Sequence, residues 1–99
     1  MLTLYDEKPI LIFKRQDDKK IRVEFCNIKM KLKPCQFHQF YNYLFNINRT
    51  LDTNSENIEL IVVKENLKVI ISLNDFLQLS EAMRLVMIEK FGLREALHN

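Results

Sequence analysis

Apolar and polar residues alternate along the first third of the chain with a period of two. Ile10-Leu11-Ile12-Phe13-Lys14-Arg15 is rich in β-branched and aromatic side chains and predicts a short strand over 10–15. Gln16-Asp17-Asp18-Lys19 follows as a turn. From Lys20 the alternation is regular. Ile21, Val23 and Phe25 fall on one face, and Lys20, Arg22 and Glu24 on the other. Cys26-Asn27 turns the chain, with Asn tolerating the left-handed conformation. Ile28-Lys29-Met30-Lys31-Leu32-Lys33 then alternates again with three lysines outward.

At Pro34 the period changes from two to that of a helix. Proline suits the first helical position, where its missing N–H costs nothing. Phe37, Phe40, Tyr41, Leu44, Ile47 with Asn48, and Leu51 recur at i, i+3, i+4, i+7 spacing, so a helix is expected from Pro34 to about Thr50. After a polar loop over 52–57, Ile58 to Val63 is apolar on both faces, the pattern of a strand covered on both sides. Glu65-Asn66 marks a turn, and Leu67 to Ser72 is the next strand. A second helix is expected from Leu73 to Phe91, capped by Ser72 with Asp75 three residues on, and ended by Gly92. Its core stripe is Phe76, Leu79, Met83 and Val86 or Met87.

The two halves match without gaps at a shift of 39 residues (62 − 23 = 39). Val23 meets Val62, Asn27 meets Asn66, Lys29 meets Lys68, Phe37 meets Phe76 and Gln39 meets Gln78. The helix starts, Lys33 and Ser72, coincide as well. The match points to a duplicated strand–strand–helix unit, since short units that cannot bury their own apolar face gain by pairing. The expected fold is α+β, in the order β-β-β-α-β-β-α. A single antiparallel sheet of about five strands carries both helices on one face. One domain spans residues 1–99, divided as a leader (1–9), an extra strand (10–15), a first unit (20–51), a second unit (58–91) and a tail (93–99). A chain of 99 residues leaves no room for two independent cores.

Composition narrows the function classes. Hydrophobic residues at 47% and charged residues at 28% suit a folded domain. A net charge of +2 is too small to imply a polyanion partner by itself. No apolar run approaches the roughly 18 residues of a membrane-spanning helix, and the start turns acidic where a signal peptide carries its apolar core. Two cysteines do not make a disulfide scaffold, so a reducing cytoplasm is the expected compartment. Gly92 is the only glycine, which excludes the glycine-rich phosphate loops.

Two surfaces carry candidate function. Ile61, Val63, Ile70, Leu77, Leu85, Ile88 and Phe91, with Tyr43 and Phe45 on the first helix, exceed what one small core uses. Contiguous exposed apolar patches mark interfaces. The leading expectation is therefore a non-enzymatic protein-interaction domain, self-associating as a two-fold homodimer. The alternative is a nucleic-acid-binding module whose sheet face carries Lys20, Arg22, Lys29, Lys31, Lys33 and Lys68. The plainer account of those cations is a solvated strand face protected against strand-on-strand aggregation. Cys26, Cys35 and His38 are soft ligands, but Cys-x-x-Cys spacing is absent and a fourth ligand would have to come from His98 or water. No metal or other cofactor is expected. No nucleophile–base pair and no buried acid pair is evident, so no catalytic residue is assigned.

Overall fold

In the computed structural model, the described residues are 1–51, 54, 56–62 and 67–92. The fold is α+β. Among the described residues, six strands and two helices follow in the order β1 (Leu2–Glu7), β2 (Ile10–Lys14), β3 (Ile21–Phe25), β4 (Ile28–Leu32), α1 (Pro34–Arg49), β5 (Asn57–Val62), β6 (Leu67–Ser72) and α2 (Leu73–Phe91).

The sheet departs from expectation in two ways. Residues 2–7 are a strand rather than part of a leader, and the strands form two sheets rather than one. The first sheet has the order β1-β2-β3-β4, all antiparallel, and β5-β6 stand apart as a two-stranded sheet. The two strand–strand–helix units share their order and facing but not their register. In the first, Phe25 pairs with Ile28 across a two-residue turn. In the second, Val62 pairs with Leu67 across a four-residue connection. Ile21 pairs with Leu32, yet their counterparts at the 39-residue shift, Leu60 and Ile71, are not partners, since Leu60 pairs with Val69. A gapless duplication is therefore not what the hairpins display.

The alternation read from sequence sets the core. Ile10, Ile12, Ile21, Val23, Phe25, Met30 and Leu32 point from the first sheet into a cluster with Phe37, Phe40 and Leu44 of α1. Ile58, Leu60 and Ile71 reach it from the second sheet. α2 is the element common to all of these, packing against α1, β1, β2, β5 and β6. Its Phe76, Leu79, Ala82, Met83, Val86 and Met87 are buried, covering an arc wider than a single stripe because α1 and both sheets share the helix. Phe37 in the first turn of α1 meets Phe91 in the last turn of α2, ring centroids 5.8 Å apart, so the helices run antiparallel.

Local chemistry fixes the ends. The Lys33 N–H donates to Gln36 Oε1 at 2.9 Å at the start of α1. Ser72 Oγ accepts from the Asp75 N–H at 3.1 Å at the start of α2. Gly92, at φ 67, closes α2 with its N–H on the Met87 carbonyl. The left-handed residue in the β3–β4 turn is Cys26, at φ 54, and not the neighbouring Asn27.

Candidate functional site

The apolar surface residues divide by element. On the second sheet the inner face holds Ile58, Leu60 and Ile71 against the core, and on the outer face Glu59, Lys68 and Ile70 are exposed. Ile70, in the middle of β6, is 65% exposed. It stands opposite Glu59, and Lys68 on the same face forms an ion pair with Glu59 at 3.4 Å. Ile61 is the register partner of Lys68. Val63 lies outside the described residues.

On α2, residues 77, 81, 84, 85 and 88 share the arc away from the core by helical spacing, and Phe91 lies at its edge with its ring against buried Phe37. Leu77 is exposed at 42%, Phe91 at 36%, and Leu85 and Ile88 are half-buried. Glu81 and Arg84 form an ion pair within this arc, Arg84 Nε donating to Glu81 Oε1 at 2.9 Å. The pair holds the Glu81 carboxyl below its ordinary range. On α1, Phe45 is 49% exposed, its ring tilted against that of Tyr41 with centroids 6.2 Å apart. Tyr43 is half-buried and packs against the core. Ile70, Leu77, Phe91 and Phe45 are thus exposed, while the fold partly covers Leu85, Ile88 and Tyr43.

The six cations do not share one face. Lys68 belongs to the second sheet. Lys29 and Lys31 are exposed on the open side of β4, and Lys33 is exposed at the α1 cap. Arg22 is turned back onto Asp18, Nη2 to Oδ2 at 3.1 Å, and its Nε is buried without a partner among the described residues. Lys20 is half-buried, with its backbone N–H on Asp18 Oδ1 at 2.9 Å. These contacts, the Lys20 N–H first, hold the Asp18 carboxyl low. Glu24 stands directly across from Lys29 and offsets its charge. Phe13, the one aromatic on this side by register with Arg22, is only 8% exposed, leaving no ring face for a base to stack on.

Cys26 and Cys35 are free, exposed cysteines in different places. Cys35 is in the first turn of α1. Cys26 sits in the β3–β4 turn beside the start of α2, its thiol 3.7 Å from Asp75 Oδ2. Partial burial, then the neighbouring Asp75 carboxylate, push the Cys26 thiol up, away from the reactive thiolate. Among the described residues no group of three His, Cys, Asp or Glu side chains is placed to hold a metal ion. His38 is exposed on α1, and His98 lies outside the described residues.

Sequence reasoning missed one anchor. Gln78 Nε2 donates to the Glu7 and Lys8 carbonyls, both at 3.1 Å, and ties the β1–β2 turn to α2. The Cys26 N–H donates to the Pro9 carbonyl at 3.3 Å, so both turns of the first sheet at this end meet the α2 N-terminus. Gln78 is a point of identity in the 39-residue self-match, but its counterpart Gln39 is exposed on α1.

No helix among the described residues is long and apolar enough to cross a membrane. No protein-family model, curated protein or solved structure matches the chain.

Proposed function

We propose that this chain is a non-enzymatic protein-interaction domain of the cytoplasm that works as a two-fold homodimer. The observation that carries the reading is Ile70, an isoleucine 65% exposed in the middle of a strand whose opposite face holds buried Ile71 and half-buried Val69. Leu77 and Phe91 on α2 and Phe45 on α1 add to it. Fully burying such a side chain is worth roughly 1.5–3 kcal/mol. A second copy supplies the missing cover at no cost in specificity, because a two-fold contact needs only one self-complementary patch.

Light scattering over the micromolar range tests this. The expected mass approaches twice 11.9 kDa as concentration rises. A constant 11.9 kDa at high micromolar concentration overturns the reading.

The alternative, nucleic-acid binding through the lysines, rests on Lys29, Lys31 and Lys33, three exposed cations at alternate positions. It is the weaker reading, because Arg22 is engaged by Asp18, Lys29 faces Glu24 and Phe13 is buried. Titration with single- and double-stranded oligonucleotides at about 50 mM salt, where phosphate contacts are strong, is expected to show no binding. Tight binding that weakens steeply with added salt would promote it over the homodimer.

A further inference from the structure

The two sheets treat their edges differently. In the first, β1 carries a bulge between Thr3 and Tyr5 and ends in exposed Asp6 and Glu7, while β4 presents exposed Lys29 and Lys31. Bulges and edge charges of this kind stop strands from adding to a sheet. The second sheet has no such protection on β6. Leu67-Lys68-Val69-Ile70-Ile71-Ser72 contains no proline, and its register with β5 is unbroken. Its single charge, Lys68, is already matched by Glu59 within the chain. A two-stranded sheet is marginal without further strands or cover, and only one face of this one meets α2.

We infer that β6 pairs edge to edge with β6 of a second copy, antiparallel about a two-fold axis at Ile70, joining two β5–β6 hairpins into one four-stranded sheet. The inference rests on the homodimer reading and names its contact. The register follows from arithmetic on the strand. A two-fold at residue 70 sets position i against position 140 − i. Ile70 meets the partner's Ile70, so an isoleucine 65% exposed in each copy packs beside the other's. Lys68 meets the partner's Ser72, and Val69 meets the partner's Ile71, which keeps the core-facing side continuous across the axis. No like charges stand opposed. The corresponding pairing of β5 about Glu59 would set carboxylate against carboxylate. The two Lys68 residues end up about 14 Å apart along the strands, four residues at the strand rise.

Position-specific cross-linking tests this. Single cysteines are placed by Ile70→Cys, Lys68→Cys and Leu77→Cys in a chain whose Cys26 and Cys35 are both replaced by serine, and each variant is mildly oxidised. All three sites are exposed, and far-UV circular dichroism confirms that each variant folds. Directly opposed strand residues have Cα atoms about 4.5–5.5 Å apart, inside disulfide reach. Ile70→Cys is therefore expected to form covalent dimer about ten-fold faster than Lys68→Cys, whose two copies are out of reach. A dimer by light scattering in which Ile70→Cys links no faster than Lys68→Cys overturns the β6 contact but leaves the homodimer. If Leu77→Cys links fastest, the contact belongs to α2. A chain that stays monomeric by scattering and links at none of the three sites removes both claims.

Discussion

Cys26 illustrates how a single residue is held against its own preference. With φ at 54 it occupies the left-handed region, where a side chain costs roughly 1–2 kcal/mol relative to glycine. Cys26→Gly is therefore expected to stabilise the fold by about 0.5–1 kcal/mol, after glycine's greater freedom in the unfolded chain is subtracted. Urea denaturation measures it, and an unchanged or lowered midpoint would show that the thiol's contact with Asp75 outweighs the backbone strain. Asp75→Asn removes the carboxylate that disfavours the Cys26 thiolate, so alkylation of Cys26 at pH 8 should accelerate. Titration sets signs at both ends of the pH range. The raised Cys26 and Tyr5 groups contribute stability that is complete below their unfolded values and is lost as pH rises through the folded ones. The lowered Asp18 and Glu81 contribute stability that is complete above their unfolded values and is lost as pH falls. Urea midpoints should thus be flat near neutrality and fall on both the acid and the alkaline side.

Among the elements, α2 decides the architecture, and its anchors should register in stability. Ser72→Ala removes the acceptor for the Asp75 N–H and is expected to cost about 1 kcal/mol. Gln78→Ala frees two carbonyls of the β1–β2 turn and should cost a similar amount, about 1 kcal/mol. Gln39→Ala, at the matching position on α1, should be close to neutral because Gln39 is exposed. Equal costs at the two glutamines would mean that the carbonyl contacts contribute nothing. Legibility in the sequence followed regularity. β3 and β4 alternate without interruption, and both helices start at residues whose chemistry marks a start, Pro34 and Ser72, so their positions were readable. β1 was not, because the bulge between Thr3 and Tyr5 shifts the phase, and Leu2, Leu4 and Tyr5 do not fall on one period-two face. The split into two sheets was also invisible. Hydrophobic patterning tells which face of a hairpin is buried, not which edge meets which. Of the candidate surface, Ile70 was readable as a residue of the Leu67–Ser72 strand in excess of what one small core uses. The partial cover of Leu85 and Ile88 was not, since it depends on neighbours that only the folded chain brings together.

For the molecule as a whole, the question is what meets the surface left over once α2 has served both sheets. Its buried arc joins the core of the first sheet to the second hairpin, and among the described residues Glu59, Lys68 and Ile70 stay exposed on the far face of that hairpin. Ile70 on that face is 65% exposed, and the proposed β6 contact sets it beside the partner's Ile70 at the two-fold axis. Sedimentation equilibrium of the native chain beside Ile70→Lys puts this most directly. Ile70 is exposed, so the substitution should leave folding stability within about 0.5 kcal/mol. The account predicts a native chain at twice 11.9 kDa and a folded Ile70→Lys variant at 11.9 kDa under the same conditions. Equal masses for the two, whether both single or both double, would contradict it.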